Sequence, residues 1–118
     1  MLARFTQIDY DREMALIAVD SKKGSDRQVA VARYIRLPDG RSCEFAIAVA
    51  DGWQGRGLGR RMMARLIEVA RERGLQAMVG WVLTSNRGML EMVSRLGFHA
   101  VPDPDDPQNR KVSLVLEP

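Results

Sequence analysis

The chain has 118 residues, 46% of them apolar and 28% charged, with a formal net charge of +3 and a pI of about 9.5. That length fits one domain, residues 1–118, with a single core, and no apolar run approaches the roughly 20 residues of a membrane span. Met1 to Arg4 does not open a secretory signal; one cysteine and one histidine allow neither an internal disulfide nor a Cys/His zinc site, so a cytoplasmic location is the default expectation.

In chain order, Arg4 to Glu13 reads as an ordered loop or short turn leading inward. Met14 to Asp20 is a compact apolar run consistent with a buried strand, and Ser21 to Asp26 a polar hairpin connection. Gln28 to Leu37 alternates as a strand with one imperfect face. Pro38-Asp39-Gly40 is a turn of hairpin type, and Ser42 to Ala50 a third strand with Cys43, Phe45, Ile47 and Val49 on one face. Cys43 is read there as packing, not as a nucleophile.

Leu58, Met62, Met63, Leu66, Ile67, Val69 and Ala70 then recur at helical spacing, and Gly74 stops the helix. Leu75 to Leu83 holds the next strand. Thr84-Ser85-Asn86 caps a second helix, Arg87 to Leu96, which Gly97 ends, with Phe98 folding back on Val93. Pro102 to Gln108 reads as an exposed loop and Lys111 to Glu117 as a last antiparallel strand. Strands first, then alternating helices and strands, give an α/β (α+β) class with a mixed sheet covered by helices. Trp53 and Trp81 are read as packing residues.

The segment between the third strand and the first helix carries the chemistry. Gln54-Gly55-Arg56-Gly57-Leu58-Gly59-Arg60-Arg61 is a glycine turn entering a helix. Glycines permit positive φ and close backbone approach. The helix start adds unpaired N–H groups and the positive end of its dipole, which together make an anion site. The segment lacks the Lys-Ser/Thr of a P-loop, and its glycines are one residue too tight for a dinucleotide fingerprint. Fifteen of the 18 basic residues are arginine, with six Arg against two Glu from Gln54 to Arg73. A lysine-rich run and interleaved aromatics are missing, so nucleic acid is not the expectation; the stripe can equally mean a phosphate-rich small molecule or an ordinary solvated helix face.

Gln54, Gly57 and Gly59 fill the pattern [QR]-x-x-G-x-[GA], and the segment resembles the acyl-CoA pyrophosphate loop of the GNAT family of N-acetyltransferases. Asn86-Arg87-Gly88-Met89-Leu90 and Arg95-Leu96-Gly97-Phe98 are similar to the second half of that domain. The run from Arg4 to Leu16, together with Glu44-Phe45-Ala46, resembles the acetyltransferase domain of bacterial Pat-type protein-lysine acetyltransferases, which is often fused to an acyl-CoA-synthetase-like domain.

The resemblance implies a GNAT-like mixed, mostly antiparallel sheet with flanking helices, lacking the strand and helices with which the family fold usually begins. It implies acetyl-CoA as cofactor. The pyrophosphate would lie on backbone N–H groups of Arg56, Gly57, Leu58, Gly59, Arg60 and Arg61 beside Gln54 and Gly55, the pantetheine arm on Ile47 and Val49, and the far side on Asn86.

It further implies Glu44 as the general base that deprotonates an amine acceptor, most naturally a protein lysine. Glu44 could equally be an exposed strand carboxylate or an ion-pair partner of Arg33 or Arg36, and Asp9, Tyr10 and Asp11 are weaker candidates for touching substrate. Many family members carry a tyrosine acid near position 93, where this chain has Val93. A non-catalytic acyl-CoA-binding module and a small-molecule amine acetyltransferase are the alternatives. An open sheet edge would favour a homodimer.

Overall fold

The computed structural model describes residues 3–21 and 27–116. The elements are β1 (Ala3–Asp9), β2 (Glu13–Asp20), β3 (Arg27–Arg36), β4 (Ser42–Val49), α1 (Leu58–Glu72), β5 (Ala77–Leu83), α2 (Arg87–Arg95), β6 (His99–Asp103) and β7 (Asp106–Val115). They form one seven-stranded sheet in the order β1-β2-β3-β4-β5-β7-β6. Every neighbouring pair is antiparallel except β4 with β5. Most of the hairpin connection expected at Ser21 to Asp26 lies outside the described residues, as does Glu117.

Alternation along the strands decides the two faces. Met14, Leu16, Ala32, Tyr34, Cys43, Phe45, Met78, Val82, Val112 and Leu114 are buried on one face, beneath Met62, Met63, Leu66, Ile67 and Ala70 of α1. A side chain at Gly59 in α1 would touch Met92 of α2 and both Ile47 and Val49 of β4, so α2 lies on this same face. Cross-strand register puts Ile35, Glu44, Val79, Trp81, Val101 and Val115 on the opposite face. No helix among the described residues covers that face, and Ile35, Trp81, Leu83, Val101 and Val115 are all exposed there.

Three expectations are corrected. Arg4 to Asp9 is not loop but most of edge strand β1, paired throughout with β2. Pro102 to Gln108 is the tip of the β6–β7 hairpin, and β7 begins at Asp106, five residues before Lys111. Proline is tolerated there because β6 is the edge of the sheet, and Asp103 and Asp106 stiffen the turn by accepting the N–H groups of Asp105 and Gln108. Trp81 is no core residue: it is 47% exposed on the helix-free face, with the Lys111 ammonium 5.9 Å from its ring.

The helix ends follow the sequence. Gly74 (φ 78°) and Gly97 (φ 102°) take the left-handed conformation that stops each helix. At α2 the N–H of Phe98 reaches the Val93 carbonyl at 3.0 Å and that of Gly97 the Ser94 carbonyl at 3.0 Å, a complete Schellman end. The C-terminal end of α1 is tied across the sheet to β1. Arg73 binds the Asp9 carboxylate and donates to the Tyr34 hydroxyl at 3.4 Å.

Candidate active site

The parallel junction is short. β4 and β5 pair only at Ser42/Ala77, Cys43/Met78 and Glu44/Val79. Beyond Glu44 the two strands part, leaving a V whose mouth faces the start of α1. Neighbours of an antiparallel strand alternate in the direction their backbone groups point, so from Phe45 to Val49 every second residue aims N–H and C=O into the gap.

A cleft of about 650 Å³ lies at that mouth. Its walls are Ile47, Ala48 and Val49 of β4, the loop residues Trp53, Gln54, Gly55 and Gly57, Gly59 and Arg60 of α1, and Asn86, Gly88, Met89, Glu91, Met92 and Arg95 at and beyond the start of α2. Eight of the sequence candidates therefore meet here: Ile47, Val49, Gln54, Gly55, Gly57, Gly59, Arg60 and Asn86.

The loop is built to present backbone. Gly55 and Gly57 have φ of 75° and 79°, which other residues adopt only with strain. Gly57 is the N-cap of α1 and has no side chain to cap with. The first intrahelical bond runs from Arg61 N–H to the Gly57 carbonyl at 3.1 Å. The N–H groups of Leu58, Gly59 and Arg60 thus precede the helical ladder and are aligned with its dipole at the cleft. Gln54 braces the turn, its amide donating to the Val49 carbonyl at 3.0 Å and to Asp51 at 3.4 Å. Asn86 does double duty: its side-chain oxygen caps α2 by accepting from Met89 N–H at 3.2 Å, and it lines the cleft.

Four candidates stand elsewhere. The Arg61 side chain does not reach the cleft; it lies over the Phe5 ring at 5.4 Å, beside a second hollow between β1 and α1, and its N–H is already spent on Gly57. The Leu58 side chain is fully buried in the core, leaving only its N–H toward a ligand. Arg56 stacks on Trp53 at 5.1 Å outside the cleft wall. Glu44 is half-buried at the closed end of the V, on the helix-free face, and lines neither hollow.

The ion-pair alternative for Glu44 is not what the structure forms. Arg33 faces Glu13 at 3.6 Å and Arg36 donates to the Gly40 carbonyl at 2.9 Å. Asp9 is engaged by Arg73, whose hydrogen bond holds its carboxyl below the ordinary value, and neither it nor Tyr10 nor Asp11 lines either hollow. Cys43 is buried, and burial pushes its thiol up to about 12, so it is a neutral packing residue.

Met89, Met92, Glu91 and Arg95 were not singled out from the sequence as site residues. Their signal was the apolar stripe of α2: Met89 and Met92, three residues apart, are partly buried, pack against the core cluster that includes Val93, and line the cleft. Glu91 and Arg95 pair at 2.7 Å along the same rim. Val93 is 1% exposed, and neither Tyr10 nor Tyr34 lines the cleft, so no tyrosine among the described residues stands there as an acid.

Comparison with known proteins shows the family. The acetyltransferase (GNAT) family model matches residues 2–98. An acetyltransferase of Pseudomonas aeruginosa is 37% identical over 90% of this chain, which spans 57% of that protein. The L-amino acid N-acyltransferase MnaT of Escherichia coli is 30% identical over 77% of this chain, which spans 60% of it. Among solved structures, the GNAT domain of S. lividans PAT superposes with a TM-score of 0.77 at 25% identity, covering 95% of this chain and 65% of that one. The chain spans less than two thirds of the length of each of these relatives. With its mixed seven-stranded sheet, parted β4–β5 junction and glycine loop at the start of α1, the chain belongs to the GNAT family of acetyltransferases.

Proposed function

We propose that the chain transfers the acetyl group of acetyl-CoA to an amine, with a protein lysine as acceptor. The observation that carries this is the coincidence, in one cleft, of an uncapped helix N-terminus and a strand whose backbone has lost its neighbour. The residues fit that cofactor. The N–H groups of Leu58, Gly59 and Arg60, with the Arg60 guanidinium, suit a pyrophosphate. The inward edge of β4 at Ile47 to Val49 suits the amides of a pantetheine arm, although the Val49 carbonyl is already shared with Gln54. Asn86, Met89 and Met92 close the far side. Acetyl-CoA supplies the activated thioester; the chain supplies position and proton transfer.

An ammonium is not nucleophilic until it loses a proton. Glu44, at the closed end of the V, would take that proton directly or through one water as the amine forms its C–N bond and the C–S bond breaks. A β4 N–H facing the gap near the vertex would stabilise the oxyanion. With no tyrosine in the cleft, the departing thiolate takes its proton from water.

The acceptor side supports a protein substrate. Glu44 lies on an open, partly apolar sheet face and not inside a closed pocket, and the Pat-type resemblance points the same way. The similarity to an L-amino acid N-acyltransferase favours a small amine as the second reading. Turnover with lysine peptides against a panel of free amines decides between them. Glu44→Gln tests the base: turnover should fall about 100-fold or more while acetyl-CoA affinity stays near wild type. Equal turnover in the variant removes Glu44 from the mechanism.

A further inference from the structure

Beyond the inner end of the cleft, and outside its lining, stands an aromatic ring. Going down the helix-covered face of β4 from the mouth of the V, the side chains are Val49, Ile47 and then Phe45, the first two lining the cleft and the third only 6% exposed. Phe45 is the first residue of β4 past the last β4–β5 pair, Glu44/Val79, so it stands at the vertex where the strands part. The next residue of β5 is Gly80. A Cβ built on Gly80 would lie 2.6 Å from Cζ and 2.8 Å from Cδ1 of the Phe45 ring. The ring therefore occupies the space a side chain at 80 would fill. It cannot retreat, because Phe98 meets it edge-on, with centroids 5.4 Å apart at 62°, and Phe98 is fixed by the Schellman end of α2.

We infer that Phe45, seated over Gly80 and backed by Phe98, sets the length of acyl group the site accepts, admitting short chains such as acetyl and propionyl and stopping longer ones. This rests on the acetyl-CoA site proposed above. A donor anchored by its phosphates at α1 and running along β4 brings its acyl end to the vertex, where the ring stands just beyond Ile47, the innermost β4 residue of the cleft lining. Phe45 is a specificity residue and takes no part in proton transfer.

The test is the binding of acetyl-, propionyl-, butyryl- and hexanoyl-CoA, and of CoA itself, to the wild-type chain and to Phe45→Leu and Gly80→Ala, each checked for folding by circular dichroism. The wild type should bind CoA and the short thioesters and lose about tenfold in affinity from propionyl to butyryl. Phe45→Leu opens the vertex and should erase that step. Gly80→Ala pushes the ring toward the cleft and should lower affinity for propionyl-CoA relative to CoA. Because each comparison is a ratio within one protein, a general loss of stability cancels. A wild-type profile without a step overturns the inference whatever the variants do, as does an unchanged step in a folded Phe45→Leu. If the wild type binds neither CoA nor any thioester, the cofactor assignment itself fails, an outcome distinct from binding without length selection.

Discussion

Gly59→Ala separates folding from ligand approach, because the two should move in opposite directions. Gly59 lies in the first turn of α1 and, unlike Gly55 and Gly57, does not have a positive φ. A methyl there would meet Met92 Sδ at 3.6 Å and the tips of Ile47 and Val49 at 3.7 Å, ordinary van der Waals distances. Alanine replaces glycine in a helix with a gain of about 0.5–1 kcal/mol from reduced unfolded-state entropy, so the melting temperature should rise by a few degrees. The same methyl projects toward the cleft wall formed by Ile47, Val49 and Met92, where a phosphate must approach the Leu58–Arg60 amides. Acetyl-CoA affinity should fall about tenfold, or ~1.4 kcal/mol. Thermal and urea unfolding read the first effect and calorimetric titration with acetyl-CoA the second. A stabilised variant that binds acetyl-CoA like wild type would refute the assignment of Gly59 to the phosphate approach. A destabilised one would refute the packing argument.

Other outcomes follow from the same geometry. Gln54→Ala removes the brace to the Val49 carbonyl; one hydrogen bond contributes about 1 kcal/mol, so acetyl-CoA affinity should drop about fivefold, checked by titration, and no change would mean the loop holds its shape alone. The Asp39 carboxylate accepts from Arg41 N–H, Ser42 N–H and the Ser42 hydroxyl at 2.8, 2.9 and 2.7 Å, and these bonds hold it down to about 2. Its folded value lies below the ordinary 3.8, so the stability it contributes is present above that value and lost as pH falls toward 2. Asp39→Asn should flatten the melting temperature across that window, and an unchanged slope would contradict it. Cys43, neutral and buried, should resist a thiol reagent at pH 8 in the folded chain and react once denaturant opens it; fast labelling of the native protein would mean the core face of β4 is accessible.

What the sequence carried was local chemistry. Gly55 and Gly57 demanded left-handed backbone, Asn86 a cap, and Gly97 with Phe98 a helix end, and each is found where the residue types put it. What it did not carry was pairing that depends on a partner strand. β1 has only Phe5 and Ile8 as large apolar residues, too few to alternate visibly, and is held by its register with β2. The β6–β7 hairpin was hidden because three prolines and three aspartates read as loop when nothing indicates which strand is an edge. The parting of β4 and β5, which makes the cleft, is a relation between segments more than 30 residues apart and leaves no mark in either. Glu44 could be named from a resemblance, but its separation from the phosphate end of the cleft could not.

The three-pair β4–β5 junction also bears on how the domain holds together. Among the described residues it is the only backbone ladder joining β1–β4 to β5–β7, so the sheet's hydrogen-bonded backbone is two units stitched at one end, with the helices packed above. Strand amides normally exchange with solvent only on unfolding, yet those of Phe45 to Val49 that point into the gap should exchange quickly in the middle of the fold. A ligand lying along that edge would act as a missing strand, slowing their exchange and joining the two units along the gap.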